Sequence, residues 1–422
     1  MVRLQASFRR TVAGCLQRKW EEPMIYRPLA AAIVAATLAH APAFAQSDEA
    51  TLSSVQQSVK EAIDWRDLKL DDYGAPKIIY DGDPVTINFS SHLPEQSAQA
   101  KFLKQAFQVL EKMSDGKLVV KARWSGTVHS VSEGFEANRS GITDMSACFT
   151  FLNITSFPLT KALSLPGLFP DAGTLSIVAE HLADKYFRKE FERQGVYLEG
   201  ITGSARFNLF SNRPITKLED LQGLKVRSGS GVNQDVFAAL GATPVNISSA
   251  DFFSALQRGL LDAVFTSDAA AKAFRINEAA SDHTDTPINH MPLEFCMSQA
   301  KYASLPADLQ EVFYRWSRQK SQAESQLSFT LASAEARKQF IDQGMKYNEI
   351  DPAEFKRWQK KFDPVIQEYI KDGEAKGLPT KQLVQDIRDL VKKYGPMSRS
   401  ERMDNTISDP ATKVSPLKNA IN

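Results

Sequence analysis

Between residues 84 and 146 the apolar positions switch repeatedly between two periods. In PVTINFSSHLPEQS, Val85, Ile87 and Phe89 alternate with polar neighbours, which predicts a strand; Ser90, Ser91 and His92 then open a loop. SAQAKFLKQAFQVLEKMSDG carries helical spacing, KLVVKARW reads as a second strand, SVSEGFEANRSG as a helix closed by Gly141, and ITDMSACFTF as a third strand. Strand and helix alternating at this pitch predict an α/β unit with a parallel sheet.

The pattern restarts after GVYLEGITGSARFNLFSNRPI. LKVRSG, TPVNIS and LLDAVFTS read as strands, and VNQDVFAALG and SADFFSALQRG as the helices between them. From Leu305 to about Tyr394 the chain turns strongly helical, and residues 305–344 are long enough to pass from one domain to another. The predicted architecture is α/β with two lobes, an interlobe cleft and long C-terminal helices. Lobe I takes residues 84–204, completed by about 293–332, and lobe II takes residues 205–292, completed by about 333–395. Residues 46–83 are polar around one amphipathic stretch (Val55, Val59, Ile63, Leu68) and read as an extension outside the core. Residues 396–422, rich in Ser, Asp, Pro and Lys, read as a disordered tail.

The N-terminus changes the compartment. MIYRPLAAAIVAATLAHAPAFAQ holds an arginine, an apolar stretch from Pro28 to Leu38 and the small-x-small sequence Ala43-Phe44-Ala45, so residues 1–45 read as a signal peptide with an upstream extension, cut after Ala45. Met24 is an alternative start. Val12-Ala13-Gly14-Cys15 and Arg9-Arg10 resemble lipoprotein and twin-arginine signals, but no adequate apolar region precedes Cys15. The expected location is the periplasm.

Removing residues 1–45 lowers 51 basic and 50 acidic residues to 45 and 48, a formal net charge of −3. That balance argues against nucleic acid and against a polybasic membrane patch. Of three cysteines, Cys148 and Cys296 remain in the mature chain; either they form one disulfide or they are two separate buried thiols in apolar strands. No metal-ligand spacing, cofactor motif, internal repeat or transmembrane run is present, and no cofactor is expected.

The stretch of most chemical interest is DLQGLKVRSGSGVNQ, residues 220–234. A short apolar strand delivers Arg227 into Ser228-Gly229-Ser230-Gly231, where the backbone is nearly bare. A guanidinium offers two parallel N–H donors that match a carboxylate and keeps its charge at any relevant pH. Arg227 is either such a clamp or a buried structural arginine paired with Asp262 or Asp220. The glycine spacing fits neither G-x-G-x-x-G nor a P-loop. In α/β sheets ligands sit beyond the carboxyl ends of strands, which also brings in the loops after Phe89 and Ser146.

With those residues in view, KLEDLQGLKVRSGSGVNQDVFAALGATPVNISSADFFSALQRGLLDA resembles the signature stretch of the DctP-type solute receptors of TRAP transporters, the tripartite ATP-independent periplasmic carriers. HLPEQSAQAKFLKQAFQVLEKMSDGKLVVKARW and SGITDMSACFTFLNITSFPLTKALSLPGLF are similar to earlier segments of the same family, and the likeness runs from about Val85 to Tyr394. The resemblance implies a two-lobed receptor that closes on a small-molecule carboxylate and hands it to TRAP permease membrane subunits driven by a sodium gradient. It assigns the carboxylate-binding arginine to Arg227 and a second one to Arg206. Ser228, Gly229 and Gly231 would let the ligand approach. His92, Phe149 and Phe207 are further candidates.

One departure bears on the ligand. Where the family has V-D-G-Q-E-N-P, this chain has Leu261-Asp262-Ala263-Val264-Phe265-Thr266-Ser267, which puts Thr266 in place of an orienting asparagine. A hydroxyl cannot copy an amide's paired donor and acceptor. With Phe149, Phe151, Phe207 and Phe265 nearby, the reading favours an aromatic or branched monocarboxylate. Each assignment has a plainer alternative: Arg206 facing solvent, His92 solvated in its loop, the phenylalanines and Trp124 in the core. A receptor for a membrane sensor is the alternative function. A periplasmic enzyme is disfavoured, since no G-x-S-x-G, H-E-x-x-H or paired acids accompany Arg227. The long C-terminal helix is compatible with a monomer or a homodimer.

Overall fold

A computed structural model describes residues 52–152, 155–229 and 231–408. The signal-peptide reading of residues 1–45, Ser230 and residues 409–422 lie outside the described residues. Strands run in chain order β1 (Val85–Ser90), β2 (Leu118–Arg123), β3 (Met145–Ala147), β4 (Val196–Gly203), β5 (Asn208–Ser211), β6 (Lys225–Arg227), β7 (Thr243–Val245), β8 (Ala263–Thr266), β9 (Asp282–Asp285), β10 (Pro292–Ser298) and β11 (Lys346–Glu349).

They form two sheets, one per lobe. The first has the order β2-β1-β3-β10-β4 and the second β11-β9-β5-β8-β6-β7. The parallel pairs expected from alternating strand and helix are present: Val85 faces Leu118 and Phe89 faces Met145 in the first sheet, and Val226 faces Pro244 and Ala263 in the second. The sheets are nevertheless mixed rather than wholly parallel. β10 runs antiparallel to β3 and β4, and β5 antiparallel to β8 and β9. The cause is connectivity: the chain leaves the first sheet through β4 and enters the second through β5, then returns from β9 to β10.

Local chemistry sets the elements. Helix Ala98–Met113 starts where the Ser97 hydroxyl accepts from the Ala100 amide, and it buries Phe102, Leu103, Ala106, Phe107, Val109 and Leu110 on one face. It ends where Asp115 and Gly116 take positive φ. The long helical segment spans Ala307–Glu324, a π-helical stretch Ser325–Leu331, and Ala332–Asp342. It packs first on the core of the first lobe and then, through Ala336 and Phe340, on that of the second.

Two expectations need correcting. Residues 52–83 are part of the core of the first lobe, not an extension outside it: they form helices Leu52–Ser58 and Lys60–Arg66, and Val59, Ala62 and Trp65 are fully buried. The Trp65 indole donates to Gln319 Oε1 at 2.7 Å, and Gln319 donates to the Tyr73 carbonyl at 2.7 Å. Beyond residue 396, Arg399–Ser408 is a helix whose Arg402, Met403 and Thr406 are buried. Polar composition masked both segments, because few buried side chains are enough to dock a short helix onto an existing core. Cys148 and Cys296 form a disulfide, their Cα atoms 5.8 Å apart across the β3–β10 junction. That decides between the two alternatives the sequence left open.

Candidate functional site

The carboxyl ends of strands from both sheets face one cavity of about 180 Å³. His92, beyond β1, and Phe149, beyond β3, line it from the first lobe. Phe207, Arg227, Ser228 and Thr266 line it from the second. Six of the seven residues singled out from sequence thus share one space.

Arg227 ends β6, and the chain then turns through Gly229 at φ 80° and Gly231 at φ 70°, the latter capping helix Val232–Ala239. Positive φ at both positions is what glycine supplies without strain. A Cβ at Gly229 would sit 3.9 Å from the Arg227 guanidinium, so the bare backbone keeps that side of the cation open. The guanidinium lies 4.3 Å over the ring of Phe252, and one terminal nitrogen donates a long bond of 3.4 Å to the Phe265 carbonyl. Its Nε is buried without a partner.

Neither carboxylate proposed as a structural partner reaches Arg227. Asp262 accepts the Lys225 amide and Asp220 accepts the amides of Thr216 and Lys217. Among the described residues no carboxylate pairs with Arg227. Loss of hydration without a compensating anion pushes its pKa down to about 10, which leaves it cationic at neutral pH.

The remaining walls are largely apolar. Phe149 and Phe151 stack at 5.1 Å, Phe207 meets Phe265 edge to face, and Phe329, Leu293 and Met291 add to the apolar lining. Thr266 is buried at the end of β8, and the long bond from Arg227 goes to the neighbouring Phe265 carbonyl instead of the Thr266 hydroxyl. Ser228 donates back to the Gly229 carbonyl at 3.1 Å. His92 is half-buried with its ring perpendicular to that of Phe149 at 5.7 Å, and burial pushes its pKa down to about 4.

Arg206 departs from expectation. It lies in a separate cavity of about 450 Å³ with Asp268, His290 and Arg337, and one of its terminal nitrogens donates to both Asp285 oxygens at 2.8 Å. Asp285 also approaches Arg337 at 3.9 Å, and Asp268 takes bonds from Arg337, His283 and Asn208. Burial works to raise the Asp268 pKa, but these donors outweigh it and hold the carboxyl well below its usual range. The side chain of Arg206, just before β5, turns toward the acids of β9 and away from the cavity of Arg227.

Trp124 and Phe265 pack in the core. Phe252, in the core of the second lobe, also forms the platform beneath Arg227. Asn233 and Ser328, on the helices beside the cavity, carried no signal in a single sequence because helical polar residues are ordinarily solvated. Among the described residues no cluster of potential metal ligands occurs, and no helix is long and apolar enough to cross a membrane.

Comparison with known proteins gives these features a setting. Residues 89–372 match the model of DctP, bacterial extracellular solute-binding protein, family 7. The C4-dicarboxylate-binding periplasmic protein DctP of Rhodobacter capsulatus is 24% identical over 302 residues, covering 68% of this chain and 86% of that protein. A TRAP solute-binding protein from Rhodoferax ferrireducens, solved with copurified benzoate, superposes with a TM-score of 0.69 at 18% identity, over 74% of this chain and 98% of that one. A TRAP periplasmic solute-binding protein from Bordetella bronchiseptica, solved with (R)- and (S)-mandelate, gives 0.68 at 25% identity, over 74% and 99%. The matched span, the two mixed sheets and the arginine facing the cleft converge, and this chain belongs to the DctP family of bacterial extracellular solute-binding proteins.

Proposed function

We propose that the protein is the extracytoplasmic solute receptor of a TRAP transporter, and that its cargo is a monocarboxylic acid with an aromatic or branched apolar body. The observation that carries this reading is the charge inventory of the cavity. Among the described residues lining it, Arg227 is the sole ionised side chain. One cation fits one carboxylate, held as a fork on the guanidinium with the Thr266 hydroxyl beside it. A second carboxylate would be stripped of water against phenylalanine rings with no counter-charge, at a cost of several kcal/mol. The apolar body lies on Phe149, Phe151 and Phe207, where burial supplies affinity without directional bonds.

Binding begins on one lobe and is completed by the other. The carboxylate docks on the second lobe, the first lobe's wall closes over the body, and the closed form is what permease subunits take up. Residues 1–45, a signal peptide with an upstream extension cut after Ala45, direct export, and the mature receptor works in the periplasm without turning over its ligand. This places the cargo apart from the compounds for which the Rhodobacter relative is named.

Thermal unfolding of the chain from residue 46, freed of ligand by unfolding and refolding, tests the reading. Apolar monocarboxylates at about a hundred times their Kd should add about 2.7 kcal/mol of stability. Dicarboxylates and uncharged sugars should add little, and Arg227→Ala should abolish the effect. Equal stabilisation of both proteins by sugars or dicarboxylates overturns it.

A further inference from the structure

The polar side chains around the cavity are mostly committed to the protein itself. Ser97 and Ser267 cap helices, Ser204 accepts the Met291 amide and donates to the Ala205 carbonyl, and Asn233 bonds Met291 and Asn289. A satisfied group gains little from a ligand and loses its existing bond if it turns. Recognition therefore falls to the groups left over.

Three of those stand out. Arg227, with Thr266 beside it, belongs to the carboxylate on the second lobe. Ser328, on the π-helical stretch of the long helix, has a buried hydroxyl without a partner. His92 stands on the opposite lobe, where among the described residues neither ring nitrogen has a hydrogen-bond partner, and Phe149 fixes the ring by its edge. The imidazole is neutral at neutral pH, because burial and the nearby His129 oppose protonation. A neutral imidazole offers one donor and one acceptor, which suits a hydroxyl or a carbonyl and does not suit a second carboxylate.

We infer that His92 is a specificity-determining residue that pairs with an uncharged polar substituent, a hydroxyl or carbonyl, on the apolar body of the ligand. The inference rests on Arg227 holding the carboxylate. The cargo is then a hydroxy- or oxo-substituted apolar monocarboxylic acid, bound by its charge on one lobe and by its second polar group on the other. A ligand lacking that group leaves a buried imidazole unpaired when the lobes close, which penalises it in the closed state.

Calorimetric titration of the refolded chain from residue 46 decides the matter. The probes are benzoate, phenylacetate and 3-methylbutanoate, each beside its monohydroxy derivatives. At least one hydroxy acid should bind about tenfold tighter than its parent, the size of one buried neutral hydrogen bond. His92→Phe, which keeps a ring against Phe149, should reduce that ratio to near one, with the parent acid bound as tightly as before or tighter, because no unpaired imidazole is left behind when the lobes close. His92→Gln should restore part of the ratio and serves as the second variant if the phenylalanine substitution unfolds the loop. Hydroxy acids no tighter than their parents, or a preference that persists in His92→Phe, overturn the inference while leaving Arg227 untouched. If no acid binds, or binding survives Arg227→Ala, the carboxylate reading itself fails and takes this one with it.

Discussion

The Arg227 guanidinium rests 4.3 Å above the ring of Phe252, and its Nε is buried with no acceptor. A π-face stabilises a cation by about 0.5–2 kcal/mol, less than a carboxylate supplies, so the site keeps its charge while leaving the anion's place to a ligand.

Substitution of Arg227 should therefore separate binding from stability. Arg227→Ala is expected to weaken carboxylate binding by about a hundredfold or more, and Arg227→Lys by about tenfold or more, because an ammonium cannot form the parallel fork. Unfolding free energy should change by no more than about 1 kcal/mol, since no ion pair is lost. Titration calorimetry and denaturant unfolding on the same preparations test both halves.

Arg206 should show the reverse. Its bond to Asp285 ties the crossing segment to β9, with side chains that are only 18% and 11% exposed. Arg206→Ala is expected to lower stability by about 1–3 kcal/mol and to change ligand affinity far less than Arg227→Ala. A loss of affinity matching that of Arg227→Ala, with stability unchanged, would return Arg206 to the ligand site.

Glu294 on β10 supplies a pH dependence. It is fully buried and accepts from the Thr150 amide and hydroxyl, and burial pushes its pKa up from 4.5 to about 7. The folded state therefore holds a proton between about pH 4.5 and pH 7 that the unfolded chain has released, and stability falls as pH rises through that window. Glu294→Gln, which imitates the protonated acid, should flatten this part of the profile and gain on the order of 2–3 kcal/mol over wild type at pH 8. Parallel unfolding curves for both proteins from pH 4 to pH 8 would refute the assignment.

Trp65 tests whether residues 52–83 belong to the fold. Trp65→Ala removes a fully buried indole and its bond to Gln319, and should cost about 3–5 kcal/mol. A change below 1 kcal/mol by denaturant unfolding would mean that this segment is only loosely attached.

Much of the architecture was legible because its signals are local. The alternation of Val85, Ile87 and Phe89, the Ser97 cap and the bare turn after Arg227 each lie within a few residues, and backbone geometry leaves little freedom in what such patterns form. Even the short third strand was found, although it stops at Ala147 where the sequence pattern ran on to Phe151.

By itself the sequence determined two α/β units, their order, and a cation placed where the backbone is open. Tertiary structure alone decided how those pieces face one another. The acid that claims Arg206 lies 79 positions away, the partner of Trp65 lies 254 away, and the two bridged cysteines are 148 apart. No local period encodes such pairings, because they arise only when separate hydrophobic faces are buried against each other and the polar groups carried along must find partners. His92 and Arg227 facing one cavity from opposite lobes is a pairing of the same kind.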